Sequence, residues 1–239
     1  MVVSGTTPKP GLNEAQAARW VRDMFGRVAP RYDLVNRVMS LKLDQLWRWR
    51  TARILAKELK PEHRVLDLCC GTGDLLAALE AAAPAHYVGA DFCHPMLVRS
   101  RMKSKAPLVE ADGLNLPLES ESLDLITIAF GFRNFANYRA GLDELKRVLK
   151  PGGRVAILEF TQVPNPLIRG FMHFWSKWVM DPVGRWISGQ GDAYEYLPAS
   201  VERFPGAPEL EAWMKKAGFS ETRFQYFDLG VVALHVARK

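Results

Sequence analysis

A glycine turn with acids at fixed distances beyond it is the most chemically suggestive feature of the chain. Val65–Cys69 reads as a buried strand, Cys70-Gly71-Thr72-Gly73 as a turn, and Asp74 as the start of a helix. Two glycines let backbone N–H groups approach a ligand closely, and the helix N-terminus favours an anion there. A dinucleotide fingerprint wants a third glycine three positions after Gly73, where this chain has Leu76. Asp91 stands 20 residues after Gly71, at the end of the next strand. An acid there accepts hydrogen bonds from both hydroxyls of a ribose. Asp112 ends the third strand, in place to meet an adenine. Together these describe a pocket for an adenosyl group carrying a carboxylate rather than a pyrophosphate, and S-adenosylmethionine is such a molecule. Structural readings compete: Asp91 as the cap of a helix beginning near Pro95, Asp112 as a turn residue. Asp67, inside the strand end, reads as orienting the glycine loop rather than touching ligand.

The elements that must hold these residues alternate in type. Arg64–Cys69, His86–Ala90, Pro107–Ala111, Leu123–Phe130 and Arg154–Phe160 read as strands, with helical patterns at 74–83, 95–103 and 138–149. This predicts an α/β, Rossmann-like fold, a mostly parallel sheet covered on both faces. Thr222–Phe227 and Val231–Ala237 lie too close together for a crossover helix and close the sheet as an antiparallel pair. Before this core, Glu14–Leu59 reads as three short amphipathic helices broken at Pro30 and near Ser40. The expected division is a loose tail (1–12), then one domain: a helical cap (13–60), a donor-binding core (61–162), a helical insertion (163–190) and a closing segment (191–239).

Composition narrows the class. Of 239 residues, 48% are hydrophobic and 24% charged, which excludes a disordered chain. No apolar run nears the ~18 residues of a membrane span, and residues 1–11 lack the marks of a signal peptide. Three cysteines, two of them adjacent (Cys69 and Cys70), offer neither a disulfide framework nor zinc-ligand spacing, so no metal is expected. All of the positive excess lies early: residues 1–60 hold 12 Lys/Arg against 5 Asp/Glu, residues 61–239 hold 20 against 21. Such a cluster suits an anionic surface or nucleic acid, or is simply the solvated face of helices.

Asp67-Leu-Cys-Cys-Gly-Thr-Gly-Asp74 resembles the first motif of class I S-adenosylmethionine-dependent methyltransferases. Over roughly residues 20–239 the chain is similar to the ubiquinone/menaquinone biosynthesis C-methyltransferases. The resemblance rests on Tyr32-Asp-Leu-Val-Asn36 with Ser40 and Trp47, on Phe130-Gly-Phe-Arg-Asn134, and on Arg147-Val-Leu-Lys-Pro-Gly-Gly153 through Glu159-Phe160. The chain departs from that family's usual pattern at Val35 (Met), Asp44 (His), Ala129 (Ser) and Thr161 (Ser). Ala129 removes one expected hydroxyl contact to the donor, and Asp44 removes any role for a histidine there. The resemblance implies a seven-stranded class I fold with an antiparallel last strand, and methylation of a ring carbon on a polyprenylated hydroquinone. It points to a demethylmenaquinol; a 2-methoxy-6-polyprenyl-1,4-benzoquinol is the alternative substrate. Donor contacts carry over to Thr72, Asp91, Asp112 and Gly113, beside Gly71 and Gly73 of the turn, and Tyr32 closes over the donor or acts as an aromatic staple between helices.

A ring carbon attacks a sulfonium methyl well only when electron-rich, which favours the phenolate over a phenol of pKa ~10. Arginine stays protonated throughout, so Arg133 is assigned to the developing phenolate, directly or through an ordered water, with Asn134 positioning either. The competing reading is a structural ion pair at Arg133. No histidine takes a convincing base position; His173 reads as packing or surface. Cys69, Cys70 and Cys93 read as inert packing. An RNA methyltransferase would bring an Asn/Asp-Pro-Pro-aromatic turn or a cysteine beside a proline; both are absent, so no nucleic acid is expected. A non-catalytic donor-binding protein is the remaining rival. Ile168, Phe171, Met172, Trp175 and Val179 recur at helical spacing after Pro166 and up to Pro182, opposite Arg169, His173 and Lys177. That pattern suits a helix on a bilayer, a roof over a lipophilic pocket, or a core-facing helix. The expected location is cytoplasmic, peripherally on the inner face of an anionic membrane, with a homodimer left open.

Overall fold

Asn13 starts the first helix. It accepts from the Gln16 N–H at 2.9 Å while its own N–H donates to the Gln16 side chain at 3.0 Å, a reciprocal cap. The computed structural model describes residues 5–175 and 191–239. Helix α1 (Glu14–Val28) stops where Pro30, lacking an N–H, enters a short 3₁₀ turn. Helix α2 (Tyr32–Met39) follows, and Leu41 and Lys42, at φ 51° and 66°, turn the chain into α3 (Leu43–Ala56). The two expected breaks are thus where the chain bends.

The core alternates β1 (Arg64–Leu68), α4 (Asp74–Ala82), β2 (His86–Asp91), α5 (His94–Ser100), β3 (Leu108–Glu110), β4 (Leu123–Ala129), α6 (Tyr138–Val148) and β5 (Leu149–Phe160). Then come α7 (Pro166–Trp175), α8 (Gly191–Arg203), α9 (Ala207–Lys216), β6 (Ser220–Phe227) and β7 (Val232–Arg238). The seven strands are ordered β3-β2-β1-β4-β5-β7-β6, parallel except for β7, which runs against both neighbours. Side chains alternate across β1. Leu66 and Leu68 pack with Leu142, Leu145 and Phe204 on one face, and Val65 packs with Trp47, Leu75 and Leu79 on the other. Both faces are covered, which is why these strands read as near-continuous apolar runs.

Two segments differ from expectation. Strand β5 begins at Leu149, five residues early, because the Lys150–Gly153 excursion is absorbed as a register shift opposite Leu123 and Leu125. Gly152, at φ 78°, and Gly153 are held there by main-chain bonds to Lys239. The tail is not loose at residues 5–7. The Thr6 N–H donates to the Phe135 carbonyl at 2.7 Å, and Arg203 donates to the Thr7 carbonyl at 2.5 Å. Gly5 lies so close to the chain that a Cβ there would sit 1.8 Å from the Ala136 oxygen. The prolines and glycine that suggested mobility, Pro8, Pro10 and Gly11, all follow the pinned stretch. Of the insertion, the described part of α7 is Pro166–Trp175; Lys177, Trp178, Val179 and Pro182 lie outside the described residues. Among the described residues no helix is long and apolar enough to cross a membrane.

Candidate active site

The glycine turn opens at the C-terminal edge of the sheet, between β1 and β4, where the strand order reverses. Cys69, at φ 56°, and Gly71, at φ 56°, bend the chain away from β1, and Gly73, at φ 85°, leads into α4. The Gly71 N–H donates to Asp91 Oδ2 at 2.9 Å, and the Cys93 N–H donates to Asp91 Oδ1 at 2.9 Å. Asp91 therefore braces the turn and the approach to α5 as well as standing at the pocket. An ionised carboxylate has about four acceptor sites, so these two bonds do not exhaust its capacity to accept from a ribose hydroxyl. Burial raises its pKa to about 6, against the pull of those N–H bonds.

A cleft of about 690 Å³ runs over this edge, within the ~300–1,000 Å³ range of small-molecule sites. Tyr32, Gly71, Asp91, Asp112, Gly113 and Asn134 line it, with an apolar and aromatic wall that includes Phe25, Phe92, Met96 and Phe135. Asp112 is exposed and braced by the Leu114 N–H at 2.9 Å. Gly113 is required by proximity, since a Cβ there would sit 2.5 Å from the Phe135 ring. Ala129 lines the cleft without a hydroxyl. Burial raises the Tyr32 pKa, with Arg48 and a bond to Asn36 opposing it, so its phenol is a neutral roof over the cleft.

Thr72 and Gly73 do not line this cleft. Thr72 Oγ1 donates to Asp33 Oδ1 at 2.6 Å and accepts from Lys103 at 3.0 Å, while Lys103 also binds Asp33 and Asp74 at 2.7 Å each. This cluster latches α2 onto the glycine turn. Thr72 lines a smaller side cavity of about 290 Å³, which shares Tyr32, Cys69, Gly71 and Ala129 with the main cleft. Two groups that the sequence reading did not assign to ligand lie there. Arg48 is buried and paired with Asp44 at 2.7 Å, and Asp67 accepts from Thr127 at 2.7 Å through Oδ1. Asp67 Oδ2 is buried without a partner, and burial raises its pKa to about 7. A cation and an underused carboxylate beside an adenosyl-sized cleft match the two ends of an amino acid. The residues present therefore fit S-adenosylmethionine. Asp44, in place of the family's usual histidine, holds Arg48, a pairing visible in sequence only as an i,i+4 spacing on α3.

Gly131 precedes the 3₁₀ turn Phe132–Asn134 at the end of β4. Asn134 faces the cleft; Arg133 does not line it. The Arg133 side chain is 4% exposed, and its Nη1 donates to Glu159 Oε1 and to the Phe130 carbonyl at 2.7 Å each. Its guanidinium lies 5.5 Å from the Phe160 ring centroid. Burial alone would lower the guanidinium's pKa, but Glu159 beside it raises it. The geometry sets Arg133 behind the turn, in the ion-pair arrangement that competed with a phenolate contact. Tyr138 donates to the Arg133 carbonyl at 3.0 Å, and Tyr196 of α8 donates to Asn134 Oδ1 at 2.8 Å. Nothing in the sequence marked Tyr196. Cys69, Cys70 and Cys93 are free thiols whose pKa burial raises, that of Cys93 to about 11. Among the described residues no cluster of His, Cys, Asp or Glu could hold a metal ion.

The sheet order, the reversed last strand and a donor turn after β1 define a class I S-adenosylmethionine-dependent methyltransferase. The fold is shared with an S-adenosylmethionine-dependent methyltransferase of Thermotoga maritima: TM-score 0.63, 20% identity, 91% of this chain and 99% of that one. The chain belongs to the ubiE/COQ5 methyltransferase family, whose profile matches residues 11–239. A demethylmenaquinone methyltransferase of Thermus thermophilus is 48% identical over 219 residues, covering 89% of this chain and 98% of the relative. A ubiquinone/menaquinone biosynthesis C-methyltransferase of Syntrophotalea carbinolica is 41% identical over 220 residues, covering 90% and 92%.

Proposed function

We propose that the chain methylates a ring carbon of a demethylmenaquinol, giving the menaquinol. The observation that carries this reading is one continuous cleft, with acids for an adenosyl group at one side and Asn134 at the other. Its remaining wall, aromatic and apolar, suits a fused, uncharged ring. The names of relatives at 48% and 42% identity agree. The dual name of the Syntrophotalea relative keeps a benzoquinol as the second reading.

S-adenosylmethionine, when bound, supplies an electrophilic methyl on sulfonium. The new bond joins that methyl to the ring carbon, the sulfur keeps the electron pair of the broken bond, and the displaced ring hydrogen leaves as a proton. The chain's own part is to orient and to favour the phenolate. Asn134 donates to the ring oxygen, and the aromatic wall holds the ring and excludes water, which strengthens that bond. Arg133 acts through Asn134, bracing the turn against Glu159. Asp91 and Asp112 hold the ribose and adenine, and Arg48 and Asp67 take the carboxylate and the ammonium. Incubation with labelled donor and each demethylated quinol tests the reading. Mass identification of methylated naphthoquinol supports it; label in benzoquinol alone, in RNA or nowhere overturns it.

Donor affinity should fall with acid in two steps. Both donor-side acids have raised pKa values, so each is protonated below its own value, near about 6 for Asp91 and about 7 for Asp67. A protonated Asp67 no longer pairs with an ammonium, and a protonated Asp91 loses an acceptor. Calorimetry from pH 8 to pH 5 should show weakening at both steps, and Asp67→Asn should delete the upper one. A flat profile would remove both acids from the donor site.

The polyprenyl tail implies work at a bilayer surface, and α2 offers a face for it. Leu34 and Val38, one turn apart on α2, are 55% and 41% exposed, and Leu41 in the turn after it is 67% exposed, with Arg37 and Lys42 exposed beside them. Leu167 of α7 and Leu229 in the β6–β7 turn are exposed at the same sheet edge. The basic charges suit an anionic surface, at about 1 kcal/mol per residue near it. Co-sedimentation with phosphatidylserine vesicles should weaken with salt and with Leu34→Ser plus Leu41→Ser. Undiminished binding in that variant would send the contact elsewhere, with Trp175→Ser as the next test.

A further inference from the structure

A side-chain amide has two ends, and which end meets the substrate decides its chemistry. A carbonyl oxygen facing a ring hydroxyl stabilises the neutral phenol; an N–H facing it stabilises the phenolate. Asn134 Oδ1 is occupied from behind by the Tyr196 hydroxyl at 2.8 Å. Tyr196 Oη lies 2.7 Å from Thr6 Oγ1. A phenol has a single proton, and here it points to Asn134, so Thr6 is the donor to Tyr196. The order runs from Thr6 to Tyr196 to Asn134, all three being buried. Thr6 is fixed by its own N–H on the Phe135 carbonyl at 2.7 Å, and the Tyr196 ring packs 5.3 Å from Trp20.

We propose that Tyr196, steadied by Thr6, is a positioning residue that fixes the amide of Asn134 with its N–H end toward the cleft, so that it favours the substrate's phenolate. This rests on the assignment of Asn134 to the ring oxygen. Tyr196 cannot easily give up its role by ionising, since burial raises its pKa against the pull of Thr6 and Arg133. The charged and titratable groups around the amide are the Arg133–Glu159 pair behind the turn, Tyr138 of α6, Tyr32 of α2, and Asp91 and Asp112 across the cleft. Among the described residues none of these groups bonds Asn134 Oδ1, so removing the Tyr196 hydroxyl frees the amide to turn over.

The pH dependence of kcat at saturating quinol, which reports ionisation of the bound substrate, separates this role from simple support. Tyr196→Phe keeps the ring. It should lower kcat at neutral pH about tenfold and move the limb for ionisation of the bound quinol up by about one unit, as a lost bias toward phenolate requires. Thr6→Val should move the limb the same way by less. Asn134→Ala should move it at least as far, and Tyr196→Phe added to Asn134→Ala should change nothing more, since the two act as one unit. Donor affinity by calorimetry should hold throughout, which certifies the fold. If Asn134→Ala shifts the limb and Tyr196→Phe does not, the positioning role is wrong while Asn134 keeps its place. A normal limb in Asn134→Ala overturns both.

Discussion

Asp91→Ala should bind S-adenosylmethionine on the order of a hundredfold more weakly, from two lost ribose bonds at ~1.5 kcal/mol each. The loss should exceed a ribose contribution alone, because Asp91 also takes the Gly71 and Cys93 N–H groups at 2.9 Å each. Removing the carboxylate leaves both amides without their acceptor and frees the turn that must meet the donor. Asp91→Asn separates the two effects. It keeps one oxygen for one backbone N–H and a single acceptor for ribose, so its loss should be nearer tenfold. Calorimetry on both proteins, with circular dichroism to certify the fold, makes the comparison. Equal affinity in Asp91→Ala and the parent would overturn both the ribose contact and the bracing of the donor turn.

Asp91 was legible because its partner lies within one strand–helix–strand unit. The 20-residue spacing from Gly71 is the length of α4 and β2 folded back on the turn, so sequence distance and spatial distance are locked together. The same logic made the three helical pieces of the cap legible, since Pro30 and the bend near Ser40 act locally. Contacts between units carry no such spacing. Thr72 meets Asp33 across 39 residues, and Asn134 meets Tyr196 across 62. Both pairings depend on how the cap and α8 settle over the sheet edge, which no period encodes. For Arg133, the turn is legible in the Phe130-Gly-Phe-Arg-Asn134 run, while the ion pair with Glu159, one of its two readings, is a contact between units. The Arg133 side chain turns away from the cleft toward Glu159, a buried carboxylate at the end of the adjacent strand. Arg48 is hidden in the sequence for a simpler reason. A cation four residues after an acid on a helix reads as a surface pair, and only burial of both partners makes it a wall of the donor cavity.

Glu159→Ala should destabilise the protein by about 3–5 kcal/mol, the cost of leaving a buried charge unpaired. Arg133 and Glu159 are 4% and 1% exposed, so water cannot replace the missing partner. In a chain of this length that is a fall in melting temperature on the order of 10 °C. The pair need not stabilise the fold more than a hydrophobic pair of similar volume would. Arg133→Met with Glu159→Leu should therefore recover most of the lost stability. It should not recover turnover, because the Phe130 carbonyl and the turn carrying Asn134 lose the Arg133 Nη1 donor that ties them to Glu159. Arg133→Lys sits between these cases: it keeps the charge but loses the rigid guanidinium whose Nη1 donates to both Glu159 Oε1 and the Phe130 carbonyl. Its turnover should drop while donor affinity holds. Stability and turnover would then move separately across the three variants, as a brace for Asn134 requires. Full activity in the Met/Leu protein would reduce the pair to packing and leave Asn134 to stand on Tyr196 alone.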